Sequence, residues 1–483
     1  MYDKLLKRQQ SLFASGRTRE IKLRVHYLQK LQRWIKDNTD EIMAALNKDL
    51  NKPPFEAMAT EIGVALDELR YALKHIRGWA RPRYTTTGIK NFPSFGRILP
   101  EPYGCVLIIS PWNYPFMLTV SPLISAIAAG NCAIVKPSEI APATSALISK
   151  MCAEVFHPAH IMAVEGGKET SQALLALDFD KIFYTGGTEV GRKVLEAAAK
   201  NLTPVTLELG GKSPCIVDQT ANVQLAAKRI VWGKLLNAGQ TCVAPDYILA
   251  HESVKDELIA EIIKAITKQY GSDPANNPQY PKIINERHFT RINDLIHNKA
   301  IVHNKDLICN DDLAYSEDLS CSDDLSRNEN IVFGGNSNPA TQQIEPTIII
   351  NPPASSPIMN EEIFGPVLPI ITFSAPSDAV IYARAKPKPL ALYIFSSCKS
   401  AQEYYLNNIP SGGGCINDTV VHLSSPRLPF GGVGQSGMGS CHGKAGFDAF
   451  THYRSVLHKS NLLDIPLRYP PYSSWALKLI KRL

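Results

Sequence analysis

The sequence predicts an α/β fold with a doubly wound parallel sheet, followed by a second α/β domain. Between about residues 105 and 207, short apolar runs alternate with stretches of helical spacing. This alternation is typical of the strands and helices of a parallel sheet. It resumes after residue 242, and 483 residues suffice for about three domains or subdomains. A second α/β domain is therefore expected.

The N-terminal part of the chain is predicted to form long amphipathic helices. From about residue 17 to residue 80, apolar residues recur at helical spacing with charged residues between them. That period is lost from Arg81 to Pro102, where threonines, prolines and scattered apolar residues predict an extended arm.

The stretch 102–135 contains no charged residue, and its length alone would suit a membrane span. Prolines interrupt the stretch, however, and Gly130 is typical of a helix C-cap. We therefore predict a buried strand–helix–strand unit, with strands at 105–110 and 132–136 and a helix at 116–129.

Further elements follow from the same alternation. In the first sheet they are a helix after Pro142, a strand at 161–164, a helix near 168–177, a strand at 181–184, a helix from Thr188 and a strand at 204–207. In the second domain they are a strand at 247–250, a helix at 255–270 and apolar runs at 347–350 and 367–373.

Composition excludes some classes of protein. Hydrophobic residues make up 45% of the chain and charged residues 20%, as in ordinary soluble proteins. The net charge of +6 is small for this length, so nucleic-acid binding is not expected. The 10 cysteines include no CxxC pair, and no apolar signal core follows the N-terminus. A reducing, cytoplasmic setting and no metal site are expected.

Three short segments carry side chains that together suit covalent chemistry on a carbonyl. Cys242 lies among small residues just before a proline, Glu208 ends an apolar run that breaks at two glycines, and Asn113 lies on a proline-flanked turn. Taken singly, they are more simply a buried thiol, an ion-paired carboxylate and a turn residue. Together they supply a nucleophile, a general base and an oxyanion donor.

The motifs around these residues resemble those of the NAD(P)-dependent aldehyde dehydrogenase superfamily. PWNYP, ELGGKSP, NAGQTC, EEIFGP and PFGG stand in the order found there. The segments EIGVALDELRYALKH, APDY, INDTVVH, GVGQSGMG and RYPPYS are similar to its class 3 branch, which includes fatty aldehyde and coniferyl aldehyde dehydrogenases. The resemblance covers nearly the whole chain. It implies an aldehyde dehydrogenase-like fold: a doubly wound NAD-binding domain, an α/β catalytic domain and a small antiparallel sheet that bridges the subunits of a homodimer.

The resemblance also implies a reaction. Cys242 attacks an aldehyde, Asn113 and the Cys242 backbone N–H hold the oxyanion, hydride passes to NAD, and Glu208 activates the water that releases the acid. A CoA-acylating aldehyde dehydrogenase, a cysteine hydrolase and a catalytically idle structural protein are the alternatives. The hydrolytic glutamate argues against the first of these.

The cofactor is expected beyond the carboxyl ends of the strands, where 136–139 and 185–191 should lie. A glycine turn that opens a helix offers backbone N–H groups to a pyrophosphate. Gly187 departs from the family, which usually has serine there. Glu139 favours NAD because a 2′-phosphate would meet a carboxylate, although class 3 relatives with this glutamate often accept NADP too. The residues implied are Lys136, Glu139, Gly186, Gly187, Gly191, Glu362 and Phe364.

The substrate is expected to be a medium- to long-chain apolar aldehyde, because few charges lie among the residues expected at the mouth of the site. Aromatic and apocarotenoid aldehydes are the alternatives. The residues expected to contact the aldehyde are Tyr114, Met117, Trp232 and His422. For His422 a packing role is the other interpretation, since a lone histidine is weak evidence for function.

The predicted domain organisation follows the resemblance. The NAD(P)-binding domain takes 1–80 and 103–207, the catalytic domain 208–410, the bridging segments 81–102 and 411–462, and a tail 463–483. Within the catalytic domain, the acidic segment 301–330 is predicted to be a low-complexity surface insertion rather than a calcium site. The tail ends in a basic amphipathic stretch from Trp475, too short to span a bilayer, that should pack on the body or touch a membrane surface.

Overall fold

The structure is a computed structural model that describes residues 2–88, 91–297, 330–464 and 469–481. It confirms the predicted α/β fold, with two mainly parallel sheets and a small antiparallel sheet. The insertion expected at about 301–330 lies outside the described residues, apart from Asn330.

The first sheet is doubly wound. Its spatial order is Gly437–Met438, Val205–Glu208, Lys181–Thr185, Cys105–Ile109, Cys132–Lys136 and Ile161–Ala163, and all neighbours are parallel except the first pair. The chain order reverses between the strands Cys105–Ile109 and Lys181–Thr185. Ligands of such sheets bind at this switch point, beyond the carboxyl ends of the strands.

The uncharged stretch is a buried strand–helix–strand unit, as predicted. Both of its strands, Cys105–Ile109 and Cys132–Lys136, are buried at every position, which is why they are nearly continuous apolar runs. The helix Met117–Ala129 packs on one face of the sheet and ends at Gly130, whose φ of 97° is the left-handed conformation that glycine favours.

Helices cover both faces of this sheet. They are Ile21–Asp37, Thr39–Leu50, Pro54–Ala57 with a π-helical turn Met58–Ile62, Gly63–Trp79, Pro142–Val155, Lys168–Leu175 and Thr188–Ala199. An additional helix, Tyr2–Ala14, lies before the helical region that the sequence predicts. It packs on the sheet through buried Leu6, while the Gln9 amide donates to the Ala133 carbonyl at 2.8 Å.

The second sheet has seven strands, in the order Ile331–Phe333, Thr347–Ile350, Val367–Phe373, Tyr247–His251, Pro214–Val217, Ala391–Phe395 and Gly413–Ile416. Only the first of these pairs antiparallel. The helices of this half are Val223–Leu235, Lys255–Tyr270, Glu286–Ile296, Pro357–Asn360, Pro376–Arg384 and Lys399–Asn408, whereas the later helix Gly443–Ala449 returns to pack on the helices of the first sheet. The strand Gly413–Ile416 pairs with Ala391–Phe395 and so belongs to this sheet, whereas 411–462 was predicted to be a bridging segment. The domain boundaries as a whole stay a prediction.

The predicted arm forms a three-stranded antiparallel sheet. Its middle strand, Ser94–Pro102, pairs with Arg83–Thr86 on one side and with Thr451–Lys459 on the other. Near the C-terminus, the tail contains a short helix, Ser474–Ile480. Within the described ranges, no helix is both long enough and apolar enough to cross a membrane.

Candidate active site

Cys242 lies on a loop whose backbone is unusual. The residues Asn237, Ala238 and Gly239 have φ values of 52°, 52° and 77°, all in the left-handed region. That conformation costs roughly 1–2 kcal/mol for each residue that carries a Cβ. It persists because the buried Asn237 amide donates to the Asn113 carbonyl at 2.7 Å and to the Gln240 carbonyl at 3.2 Å. The loop is thereby tied to the turn that carries Asn113.

Gln240 anchors the same loop to the second domain. Its side-chain nitrogen donates to the carbonyls of Asn237 and Lys282 at 2.9 and 3.0 Å, and its oxygen accepts from the Ile284 N–H at 3.0 Å. All polar atoms of this fully buried amide are therefore satisfied, as burial requires. The loop that carries Cys242 is therefore hydrogen-bonded to the Asn113 turn on one side and to Lys282 and Ile284 on the other.

The thiol of Cys242 lies where two cavities meet. One, of about 440 Å³, has charged and polar side chains such as Asn113 and Glu208 among its lining residues and is called the polar cavity below. It extends to the glycine turn after the strand Lys181–Thr185, at the switch point of the first sheet. The other, of about 230 Å³, is lined mainly by apolar side chains. A group bound in either cavity would reach the same sulfur.

Glu208 is the last residue of the strand Val205–Glu208, and its carboxylate is buried. Neither oxygen accepts a hydrogen bond from an N–H or O–H of the described residues. Burial raises the pKa of Glu208 well above its usual range, and the neighbouring Cys441 thiol offsets this only in part. Both oxygens are themselves buried, so a water molecule reaches them only after the side chain or its neighbours move.

Asn113 follows the strand Cys105–Ile109 and is buried. Its amide nitrogen donates one hydrogen bond, to the Gln240 carbonyl at 3.1 Å, which fixes the side chain against the Cys242 loop. A primary amide has two N–H groups, so the second can serve an oxygen atom in the cavity that Asn113 and Cys242 share.

Burial, together with the nearby carboxylates of Glu362 and Glu208, raises the pKa of the Cys242 thiol to about 12. The backbone N–H groups of Cys242 and Val243 lie beside the sulfur and act in the opposite direction. Burial also raises the pKa of Glu362 to about 8. Glu362 therefore becomes charged at lower pH than the Cys242 thiol, and its charge is present in the range in which the thiolate forms.

Glu362→Gln is expected to lower the pKa of the Cys242 thiol, because it removes a negative charge that disfavours the thiolate. The pH profile of Cys242 alkylation by iodoacetamide, followed by mass spectrometry without NAD, should move to lower pH. The difference should be largest above about pH 8, where Glu362 is charged in the parent enzyme. Glu196→Gln, on an exposed helix position, should leave the profile unchanged. An unmoved profile for Glu362→Gln, or one moved to higher pH, would contradict this expectation.

The polar cavity brings together most of the predicted cofactor residues. Gly186 and Gly187 line it just before the helix Thr188–Ala199, and Glu362 and Phe364 line it near Cys242. Gly191 is buried one turn into that helix, against Leu209. Lys136 and Glu139 pair with each other at the carboxyl end of the strand Cys132–Lys136, outside the residues that line the cavity.

These residues fit a dinucleotide. A Cβ at Gly186 would collide with the Tyr184 ring, so only glycine keeps the backbone close to the cavity there. The helix Thr188–Ala199 then presents its first N–H groups and positive dipole end to a pyrophosphate. Gly187 has no side chain to contact that group, which leaves backbone N–H groups as the donors at this position.

The polar cavity also contains side chains that the sequence does not single out, among them Trp112, His288 and Arg291. Trp112 packs edge-on against Phe364, with ring centroids 5.4 Å apart, and also lies 4.7 Å from the His288 ring. Arg291 donates to the Ile363 carbonyl at 2.7 Å and thereby supports the loop that carries Glu362. His288 and Arg291 belong to the helix Glu286–Ile296, which no motif near Cys242 identifies.

The apolar cavity receives three of the four predicted substrate residues, Tyr114, Met117 and Trp232. His422 does not line it. The His422 ring instead packs against Phe430, and its Nδ1 lies 3.4 Å from the Cys415 sulfur. The packing interpretation of His422 therefore agrees with the geometry, and the substrate contact does not.

His442 takes a place in the apolar cavity that the sequence analysis did not foresee. Its Nε2 is buried and has no hydrogen-bond partner among the described residues, and burial lowers the pKa of His442 to about 4, so the ring is neutral near pH 7. The φ of His442 is 70°. The glycines around His442 are the sequence feature that could have indicated an unusual backbone there, because glycine is common where φ is positive.

Comparison with known proteins agrees with this geometry. Residues 2–456 match the profile of the aldehyde dehydrogenase family. A Staphylococcus aureus relative named 4,4'-diaponeurosporen-aldehyde dehydrogenase is 45% identical over 96% of this chain and 95% of its own. The Arabidopsis thaliana protein named aldehyde dehydrogenase family 3 member H1 is 41% identical over 98% and 92%. A solved structure, the substrate-bound state of Staphylococcus aureus AldH, has 43% identity and a TM-score of 0.91, and the match covers 100% of this chain and 99% of that one.

These relatives confirm the resemblance to the class 3 branch. They exclude the alternative interpretations of the chain as a cysteine hydrolase or as a structural protein without activity. The cofactor is a nicotinamide dinucleotide, NAD or NADP. The chain belongs to the aldehyde dehydrogenase family and is an NAD(P)-dependent enzyme that oxidises aldehydes.

Proposed function

We propose that this enzyme oxidises apolar aldehydes to carboxylic acids through a thioester on Cys242. The observation that carries the proposal is the position of the Cys242 thiol between the apolar and the polar cavity. An aldehyde in the apolar cavity would present its carbonyl carbon to the sulfur, on the side where Asn113 and Glu208 lie.

In the first step, the Cys242 thiolate attacks the carbonyl carbon and the carbonyl oxygen becomes an oxyanion. The free N–H of the Asn113 amide and the backbone N–H of Cys242 donate to that oxygen. Donors of this kind are worth roughly 10²–10³ in rate when they are already in place. The hydrogen bond from Asn113 to the Gln240 carbonyl keeps the amide oriented before substrate arrives.

NAD, when bound, supplies the hydride acceptor that oxidation requires. Lys136, Glu139, Gly186 and Gly187 would hold its nucleotide part, and Glu362 and Phe364 would hold the nicotinamide end. Cys242 carries the acyl group as a thioester after oxidation. Glu208 then takes a proton from a water molecule, and the hydroxide releases the acid and the free thiol. Burial makes the Glu208 carboxylate a stronger base, which suits this role.

A CoA-acylating dehydrogenase remains the second candidate, because it would use the same cysteine and cofactor. Hydrolysis is favoured by Glu208, which lines the same cavity as Cys242 and whose buried carboxylate oxygens accept no hydrogen bond from an N–H or O–H of the described residues. Product analysis decides between them. The free acid should form at an unchanged rate with and without CoA, whereas a requirement for CoA and an acyl-CoA product would overturn the hydrolytic mechanism.

The substrate is proposed to be a medium- to long-chain apolar aldehyde. The cavity beside Cys242 supports this, since Met117, Trp232 and His442 line it and neither an acidic group nor a lysine or arginine does so. An apocarotenoid aldehyde is the principal alternative. The Staphylococcus aureus relative, 45% identical, is named for an aldehyde of that kind.

Catalytic efficiency is expected to rise with the length of the aldehyde. Each methylene buried in an apolar site contributes roughly 0.8 kcal/mol, which is about fourfold in kcat/KM until the chain fills the cavity. NADH formation from a series of n-alkanals between propanal and dodecanal measures this. A C₂₀ or longer polyene aldehyde tests the apocarotenoid alternative in the same assay. A preference for short charged aldehydes would contradict the proposed class.

NAD is proposed to be preferred over NADP. Glu139 supports this, because its carboxylate pairs with Lys136 and would repel a 2′-phosphate. The Glu139 side chain is 45% exposed and can move aside, so NADP is proposed to be accepted with lower efficiency. The ratio of kcat/KM for the two cofactors, which Glu139→Gln should shift towards NADP, tests this assignment.

A homodimer joined through the antiparallel sheet is also proposed. Large apolar side chains are exposed on its three strands, among them Tyr84, Phe95 and Leu457. Exposed apolar surface of this kind marks an interaction site. Light scattering should therefore give twice the mass of 53.2 kDa, and Leu457→Glu should shift the protein towards the monomer.

A cytoplasmic enzyme that touches a membrane surface through its tail is the remaining proposal. Tyr472, Trp475 and Leu477 are exposed, and Lys478 and Lys481 lie beside them in the sequence. Aromatic and basic residues in combination favour an anionic lipid surface. Co-flotation with vesicles that contain phosphatidylserine, compared with neutral vesicles and with a chain ending at residue 468, tests it.

A further inference from the structure

Glu56 is a buried carboxylate far from Cys242 in sequence. It lies on the short helix Pro54–Ala57 and is 7% exposed. One of its oxygens accepts the backbone N–H of Asn237 at 2.7 Å. That N–H belongs to the first left-handed residue of the Cys242 loop, 181 residues further along the chain. A residue of the N-terminal helical region thus holds the loop of the nucleophile.

Asn237 joins the nucleophile loop to the oxyanion donor. While its backbone N–H is held by Glu56, its side chain donates to the carbonyl of Asn113 at 2.7 Å. Asn113 donates in turn to the carbonyl of Gln240, within the same loop. A shift of Asn237 would therefore move the Cys242 loop relative to the Asn113 amide.

Two groups favour the buried Glu56 carboxylate, the charge of Lys52 and the N–H of Asn237, and only the second is a hydrogen-bond partner. Lys52 is the nearest cation, but its ammonium group is paired at 2.5 Å with Glu61, and both of these side chains are fully buried. Glu61 uses its other oxygen to accept the N–H groups of Phe116 and Met117 at 2.9 and 3.1 Å. Burial raises the pKa of Glu56 to about 7 despite Lys52, with the Asn237 N–H as its hydrogen-bond partner. Burying a carboxyl group is costly, and this one is buried at the point where it accepts a hydrogen bond from the Cys242 loop.

We propose that Glu56 is a positioning residue for aldehyde oxidation, which fixes the Cys242 loop against the Asn113 amide through its hydrogen bond to the Asn237 N–H. The inference rests on the proposed roles of Cys242 and Asn113. It assigns no contact with substrate to Glu56. The required feature is an acceptor at this position, so glutamine should largely replace glutamate.

The test compares Glu56→Met, which keeps the volume and removes the acceptor, with Glu56→Gln, which keeps an acceptor. Asp49→Leu is the matched control. Asp49 is also a buried carboxylate, 6% exposed, but it accepts the N–H groups of Ala143 and Thr144 at the start of another helix. Single-turnover NADH formation with excess NAD measures the oxidation step, and thermal unfolding of the same samples measures stability.

Glu56→Met is expected to slow NADH formation about 100-fold, the effect of an ångström-scale misplacement of reacting groups. Its KM for NAD should be unchanged, Glu56→Gln should stay within about tenfold of the parent, and Asp49→Leu should be near the parent rate. Parent-like rates for Glu56→Met would overturn the inference. So would a Gln variant as slow as the Met variant, or an equal loss in Asp49→Leu.

Two further outcomes are decisive. If neither Glu56→Met nor Glu56→Ala folds, the carboxylate is a structural requirement and the positioning role is overturned. The proposed function is tested separately by Cys242→Ala in the same assay. An inactive Cys242→Ala together with a fast Glu56→Met would refute only the inference about Glu56, whereas NADH formation by Cys242→Ala would refute the proposed function.

Discussion

Cys242→Ala is expected to lose aldehyde oxidation almost completely, with no rapid NADH formation and no acyl group on the protein. The sulfur is the group proposed to form the covalent bond, and loss of a nucleophile in a covalent enzyme costs on the order of 10⁶ in rate. NADH absorbance and intact-protein mass spectrometry after mixing with NAD and aldehyde provide the two measurements. Binding of NAD, followed by fluorescence, should persist.

The matched control for this variant is Cys215→Ala. Cys215 is a buried thiol in the strand Pro214–Val217 and lines neither cavity beside Cys242. Its removal should leave activity within about twofold, since a small buried side chain is lost without a change in the site. An acyl adduct that maps to Cys215, or substantial turnover by Cys242→Ala, would require a different nucleophile.

Glu208→Gln is expected to separate oxidation from hydrolysis. Glutamine keeps the shape of the side chain but cannot take the proton of water, and general-base assistance is typically worth roughly 10²–10⁴ in rate. The thioester should therefore accumulate. The variant should form on the order of one NADH per active site in a rapid phase and then nearly stop, as accumulation of an acyl-enzyme requires.

Mass spectrometry should then find the acyl group on the peptide that contains Cys242. Cys242→Ala, treated in the same way, should show neither the rapid phase nor the adduct. Turnover of Glu208→Gln near the parent rate would show that another group activates the water. A slow variant without a rapid phase would mean that Glu208 acts before hydride transfer, which is incompatible with its proposed role.

The elements of the first sheet could be predicted closely because they depend on contiguous residues. The run around Val106–Ile109 is apolar throughout since both faces of its strand are covered, and Gly130 ends the next helix because its backbone is left-handed. The helix Tyr2–Ala14 escaped prediction. Its amphipathic period is comparable with those of the predicted helices Ile21–Asp37 and Gly63–Trp79, so the pattern was present in the sequence and was overlooked.

The positions of the two histidines could not be predicted from the neighbouring sequence. His422 and His442 both lie in the glycine-rich C-terminal region, and nothing in their immediate sequence distinguishes packing from a cavity lining. The direction of each ring follows from backbone angles and from partners such as Phe430, which only the folded chain brings together. The same holds for Arg291, which supports the Glu362 loop from a helix about 70 residues earlier in the chain.

The sequence by itself determined the α/β fold and the family, because hydrophobic period and short motifs are properties of neighbouring residues. It also singled out Cys242, Glu208 and Asn113 as candidates, since their residue types match the chemistry. The tertiary structure alone decided that they share one cavity, that an apolar cavity meets it at the sulfur, and that Glu56 holds the loop between them. The contact between Glu56 and Asn237 joins residues 181 positions apart, and side-chain packing rather than local propensity brings such residues together.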